Sequence, residues 1–390
     1  ERLFIIGDDL VTTNDRTIEE AAGQGLINCV LIKANQIGTL YETLLAMLVA
    51  LGKGLDLVVS HRSKSPNDDM EAHIALAVNA LGLKAGGGAN TEWLVKYQAV
   101  TGLLLKLDET PGSRGLAEGE QALIRKMRSY EEPTNAGIPT VGTTVEVSLP
   151  SSGVSLTFTG ATPLGTSAGS GEAIHLVDAT VEYAERKELI DRFPALFEDV
   201  EQGVHAFKRG VGEERVRSEA DDGLADLFHR TLRYDGKGCL NAVDNVWQIL
   251  APSFEGENVA ALSLLEVDRT LLQLELRTAR RRGKLADDAD EEARVRVMQR
   301  KQNVGMNAIL SVSLALGRAI ARVHGKELYE VLREEMLSVI DKLAARYGVA
   351  LHGNKLSDYV AALREVARRV EEDGLTLHAA LRAATGLYAE

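Results

Sequence analysis

The chain has 390 residues, 45% of them hydrophobic and 26% charged, and 44 Lys and Arg against 57 Asp and Glu give a formal net charge of −13. Such a composition excludes a disordered segment and leaves room for more than one domain and a real core. The acidic balance argues against nucleic-acid binding, which needs a basic face, but it allows a small, locally basic site for an anion.

Residues 1–106 read as strands alternating with helices. The first strand spans 3–7 and ends in Gly7-Asp8-Asp9, with a helix near 16–24. Strand 28–33 ends in Lys33 and is followed by a helix near 39–52, with Leu40, Leu44, Leu45, Leu48 and Leu51 on one side. Strand 56–60 ends in Ser60-His61-Arg62-Ser63, before a helix near 69–81. A short strand at Gly82-Leu83 ends in Lys84, and a glycine turn leads to a helix near 91–105. Continuous apolar strands alternating with helices predict a parallel sheet covered on both faces. In such sheets the working residues lie at the C-terminal strand ends, where Asp8, Lys33, His61 and Lys84 fall.

Residues 107–134 read as a linker with one helix, and 143–149 with 154–158 as an antiparallel hairpin. Residues 163–173 are a loop of small residues, 179–232 a charged and mostly helical insertion, and 237–332 helices centred on the apolar Asn307–Ala315. A tail, 333–390, has amphipathic spacing at Tyr359, Ala362, Leu363, Val366 and Val370. Cys29 and Cys239 make neither a disulfide framework nor a metal spacing, so a reducing, cytoplasmic compartment is expected. No apolar run approaches the roughly 20 residues of a membrane span, so no membrane association is expected. No charged-then-apolar leader precedes the opening strand, as if further sequence came before it.

The strand ends carry the chemistry. A lysine ending a buried strand is desolvated and can serve as a base, although one lysine alone more often snorkels to solvent. Asp8-Asp9 suits a hard cation, or simply the cap of the next helix. His61-Arg62-Ser63 offers a fork, a hydroxyl and a second donor to a phosphate. Together they suggest proton abstraction next to a carboxylate, with cations stabilising the enolate.

These motifs resemble the enolase family. Gly7-Asp8-Asp9-Leu10 with Thr13-Asn14 is similar to its metal-binding D-D-L-x-x-T-N. Leu31–Leu40 is similar to its catalytic-lysine L-K-x-N-Q-I-G-T, Val58–Ser63 to V-S-H-R-S, Leu83–Gly86 to I-K-T-G, and Val95-Lys96-Tyr97 to A-K-Y-N. A second block resembles the family's N-terminal domain. Pro163–Ala173 is similar to its mobile loop, Tyr234–Val243 to Y-x-G-K-G-V-x-x-A-V, and Gly305–Ser313 to G-A-N-A-I-L-G-V-S.

The resemblance implies an α/β fold. Residues 1–106 would be the later part of an enolase-type β/α barrel, 135–332 an enolase N-terminal-like α+β domain with insertion 179–232, and 333–390 a helical tail. It implies a phosphopyruvate hydratase-type lyase of glycolysis, converting 2-phosphoglycerate to phosphoenolpyruvate. Lys33 would be the base; His61, Arg62, Ser63, Lys84 and Gln36 would bind a small phosphorylated carboxylic acid. Asp8 and Ser167 would hold Mg²⁺. The alternative, motivated by the charged insertion 179–232 and the helical tail, is an enolase-like protein with a structural or binding role, non-catalytic or altered in specificity; Lys64 in place of the motif glycine points to a related lyase acting on another phosphorylated or phosphonate acid.

The chain also departs from the family pattern. The barrel end precedes the N-terminal block, and several barrel strands are missing together with metal-site and acid–base carboxylates. Glu131-Glu132-Pro133 echoes the family's E-D-P, but Lys126, Arg128 and Ser129 before it do not read as a buried strand. A barrel cannot close on so few strands without leaving open edges. The resemblance implies a homo-oligomer, and the open edges imply another chain or segment that completes the barrel.

Overall fold

A computed structural model describes residues 3–107, 115–116, 119–165 and 171–390. Its first part is a four-stranded parallel sheet in the order β1-β2-β3-β4, made of β1 (Ile6–Gly7), β2 (Cys29–Ile32), β3 (Asp56–Ser60) and β4 (Gly82–Lys84). The helices between them are α1 (Asp15–Gly23), α2 (Ala34–Ile37), α3 (Leu40–Gly52) and α4 (Met70–Ala77); α5 (Thr91–Leu107) follows β4. β2 is buried along its whole length, as a strand covered on both faces must be.

Three local expectations shift. Only the end of strand 3–7 pairs, because β1 is an edge strand whose N-terminal approach is exposed, with Leu3 79% and Ile5 52% accessible. The helix predicted over 69–81 stops at Ala77, because Asn79 turns the chain at φ 49° toward β4. The helix predicted over 39–52 is preceded by the separate short α2. Gly38, at φ 98°, ends α2, and Thr39 caps α3 by accepting the Glu42 amide. A Cβ on Gly38 would come within 2.6 Å of Lys301 Cδ, so the glycine serves close packing as well as the turn.

The expected linker helix in 107–134 is not found among the described residues. Leu123–Pro133 instead form a strand, β5, pairing antiparallel with β6 (Pro139–Leu149), which pairs with β7 (Val154–Ala161). Ile124, Met127 and Ser129 face inward while Lys126, Arg128 and Tyr130 face water. The charges that disguised this strand are its solvent face. The sheet lies on α12 (Met306–Val323), and a Cβ on Gly160 would meet the Ser311 carbonyl at 2.4 Å. α12 is long and apolar because it is buried at the centre of the molecule.

The insertion 179–232 is also less helical than expected. It contains the strands β8 (Val181–Glu182), β9 (Phe197–Glu201) and β10 (Val204–Phe207), ordered β8-β10-β9. With α6 (Tyr183–Arg192), α7 (Glu213–Arg217) and α8 (Asp222–Leu232), they enclose a small separate core around Phe197, Leu224 and Phe228. After α9 (Leu240–Asn245) come α10 (Leu264–Arg281) and α11 (Glu291–Arg300), then α12. The last helices are α13 (Leu328–Arg346), α14 (Leu356–Glu372) and α15 (Leu377–Thr385). The division at 332/333 falls inside α13. The tail is part of the body: α13 packs on α4, and α14 and α15 pack on α3.

Charged clasps join these layers. Lys301, fully buried in the left-handed cap of α11, donates to the Ile37 carbonyl and the Glu42 carboxylate, both at 2.6 Å. Glu42 also accepts from Tyr388 at 3.0 Å. Nearby, burial pushes Asp268 up to about 7 although it accepts the Tyr41 amide at 2.7 Å.

Glu19 ties α1 to α15. Burial raises its pKa, but hydrogen bonds from the His378 side chain, the His378 and Leu377 amides and Lys53 outweigh this and bring it to about 2. A depressed carboxylate stabilises the fold above its unfolded pKa and loses that contribution as pH falls through the folded value. Unfolding free energy should therefore drop by about 3 kcal/mol between pH 4.5 and 2 on account of Glu19. Denaturant titrations of Glu19→Gln should show that much less acid sensitivity, and an unchanged pH slope would refute this linkage.

Candidate active site

The C-terminal ends of the parallel strands converge on one pocket of about 310 Å³, whose wall includes Asp8, Asp9, Lys33, His61, Arg62, Ser63, Lys84 and Trp93. The strand ends share a rim because β1 to β4 run parallel in register. The sequence-predicted residues therefore meet, apart from Gln36 and Ser167.

Past β1 the chain turns sharply. Thr12 and Thr13 adopt φ 46° and 53°, unusual for β-branched residues. The turn aims the Thr13 hydroxyl at the next strand end, where it accepts the Lys33 amide at 3.0 Å and donates to Gln36 Oε1 at 2.7 Å. The Lys33 side chain is 11% exposed, and its ammonium forms an ion pair with Asp8. Asn14 then caps α1 by accepting the Arg16 and Thr17 amides.

At the third strand end, the His61 amide donates to the Lys84 carbonyl at 2.9 Å, extending the β3–β4 ladder into the site. The imidazole meets the Trp93 ring edge-on at 5.6 Å, and its buried Nδ1 has no hydrogen-bond partner among the described residues. Burial lowers the His61 pKa, and the charges of Lys96, Lys84 and Lys33 lower it further. Trp93 is held close by Gly86, at φ 83°, where a Cβ would lie 2.5 Å from the indole.

Arg62 is buried and pairs with Glu172 at 3.3 Å. Ser63 and Lys84 are exposed at the mouth, and Lys84 makes no ion pair with any described residue. Gln36, expected to contact a substrate, is fully buried and does not line the pocket. Its carbonyl is taken by Thr13 and its amide donates to Glu172 Oε1 at 3.0 Å. Ser167 lies outside the described residues.

Three residues of the site carried no assigned role in the sequence reading: Thr13, Trp93 and Glu172. Glu172 stood within the loop motif, and Thr13 within the D-D-L-x-x-T-N match. Trp93 had no sequence signal.

Among the described residues no group of three or more His, Cys, Asp or Glu side chains is placed to hold a metal. Mg²⁺ takes about six oxygen ligands in near-octahedral geometry, and Asp8 is already engaged by Lys33. The described residues alone do not fit Mg²⁺. The cations Lys33, Lys84 and Arg62 outnumber Asp8 and Asp9 on the wall, so the pocket suits an anion.

Residues 1–126 match the family described as the enolase C-terminal TIM barrel domain. The enolase of Mycobacterium leprae is 38% identical over 125 residues, 32% of this chain and 28% of the relative. The enolase of Mycobacteroides abscessus gives the same identity and coverage. The chain thus spans 28% of the length of these curated relatives.

Proposed function

We propose that this chain, an enolase-family protein through residues 1–126, supplies the cationic half of an enolase-type active site, as a lyase that forms phosphoenolpyruvate from 2-phosphoglycerate. The observation that carries the reading is the convergence of Lys33, His61, Arg62, Ser63 and Lys84 on one pocket. A phosphate would take the fork of Arg62, the Ser63 hydroxyl and His61. The exposed Lys84 would hold the carboxylate, and Lys33, once it has passed its ammonium proton to the Asp8 carboxylate it contacts, would as the neutral amine remove the α-proton beside it.

The acidic groups come from elsewhere in this reading. Leu3, Ile5, Ile6 and Leu10 are exposed along the β1 edge at 79%, 52%, 46% and 63%. An apolar, unpaired parallel edge favours a further strand from another chain or segment. The second reading, binding with altered or absent turnover, is favoured by the lack of a three-carboxylate metal group among the described residues.

Titration calorimetry with phosphoglycolate, a small phosphorylated carboxylate, tests the site. Lys84→Ala should weaken binding about tenfold, the loss of one charge-assisted contact, with unfolding unchanged because Lys84 is exposed. Equal affinity in wild type and variant would sink the assignment. His61 adds a pH signature. Its lowered pKa leaves it neutral at pH 7, and protonation on acidification adds a cation. Affinity should rise from pH 7.5 to 5.5 more steeply in wild type than in His61→Asn, and parallel slopes would remove His61 from the clamp.

A further inference from the structure

A second cavity, about 850 Å³, lies between α1, α11 and the β9–β10 turn, against about 310 Å³ for the strand-end pocket. Four cations stand on its wall, Arg16, Lys284, Arg296 and Arg300, against the acids Glu20 and Glu201. Arg16 pairs with Glu20 on the wall at 2.9 Å and Lys284 with Glu182 behind it at 2.7 Å, so in a protein of net charge −13 the cationic character of the wall rests on its arginines. Between the charges stand the carboxamides of Asn14, Gln202, Gln299 and Gln302, while Val297 is the single apolar side chain among the described lining residues. Arg16 and Arg296 are tied to Glu292 at 3.1 and 3.3 Å. Glu292 is 66% exposed, and such surface pairs yield readily to a better anion.

We propose that this cavity binds a hydroxylated, multiply charged phosphate ester of sugar-phosphate size. Arginines and a lysine suit phosphate oxygens, and carboxamides suit hydroxyl groups. No aromatic side chain among the described lining residues offers a face for a nucleobase, so nucleotides gain nothing beyond their phosphates. The volume lies within the range of ligand pockets.

The wall also touches the strand-end pocket through shared backbone. Asn14 directly follows Thr13, whose hydroxyl accepts the Lys33 amide, and Asn14 donates to Gln299 at 3.1 Å. Gly171 directly precedes Glu172, the partner of Arg62 and Gln36. Arg300 donates to the Glu172 carbonyl. A ligand drawing on Arg300 changes the hold on Glu172 and hence the position of Arg62. This coupling rests on the reading of the strand-end pocket given above; binding in the cavity does not.

The test is titration calorimetry with fructose 1,6-bisphosphate as probe, using wild type, Arg296→Glu, Arg16→Glu and Lys84→Ala, each checked by circular dichroism. Arg296 and Arg16 are 71% and 51% exposed, so their replacement leaves the core intact. The expected result is saturable binding, weakened about tenfold or more by either arginine variant and unchanged by Lys84→Ala. Absence of saturable binding, or indifference to both arginine variants, overturns the site. Loss of binding in Lys84→Ala alone places the probe in the strand-end pocket and also overturns it. Tighter binding of ATP than of the bisphosphate overturns the ligand class. Phosphoglycolate affinity, measured with the cavity filled and empty, should differ about fivefold or more, and an equal value overturns the coupling. A chain that binds the bisphosphate but never phosphoglycolate fails the strand-end reading and keeps the cavity.

Discussion

Replacing Lys301 with methionine should lower the free energy of unfolding by about 3–5 kcal/mol, the usual consequence of removing one member of a buried ion pair. The Lys301 ammonium is fully buried against Glu42, itself 2% exposed, and donates to the carbonyls of Ile37 and Met298 as well. Methionine fills the volume but leaves a carboxylate and two carbonyls without their donor. Burial already raises the Glu42 pKa, with Lys301 opposing it, so the variant should raise it further. A raised carboxylate lends stability below its unfolded pKa and loses it as pH rises through the folded value. The deficit of Lys301→Met should therefore be larger at pH 8 than at pH 5, and adding Glu42→Gln should recover part of it. Guanidinium titrations at both pH values read this directly. A deficit under about 1 kcal/mol would mean that the clasp joining α2 and α3 to α11 contributes little.

The second large effect concerns Lys33. Wild type should exchange the C2 proton of 2-phosphoglycerate with D₂O, and Lys33→Ala should reduce that exchange by about 10²–10⁴-fold, the range attributed to a positioned base. Proton exchange isolates the step proposed for Lys33 from departure of the hydroxyl, a separate step that needs a general acid. Proton NMR of the substrate in D₂O provides the measurement. Equal exchange in wild type and variant removes Lys33 as the base. A wild type that binds phosphoglycolate without any exchange supports the binding-only reading.

The strand ends were readable from the sequence because a buried parallel strand has a plain signature. Val30-Leu31-Ile32 and Leu57-Val58-Val59 are continuous apolar runs, and each finishes on a polar residue that burial makes conspicuous. The antiparallel elements were harder. β5 alternates charged and apolar side chains with a bulge between Ile124 and Lys126, which breaks the period-two pattern. Strands β8 to β10 are short, and their alternation is lost among the charges of the insertion. The short α2 turned on Gly38, whose left-handed backbone ends one helix before Thr39 caps the next.

The sequence by itself determined that Asp8, Lys33, His61, Arg62, Ser63 and Lys84 would share a rim. Parallel register brings successive strand ends to one edge whatever the surrounding residues do. Only the tertiary structure decided what each side chain does there. Gln36 left the substrate wall because Thr13 and Glu172 satisfy both ends of its amide. Arg62 is drawn to Glu172, a residue 110 positions away in the chain. Such pairings join segments distant in sequence, and local propensity and spacing carry no record of them. The same holds for the second cavity, whose wall draws on α1, α11 and the insertion.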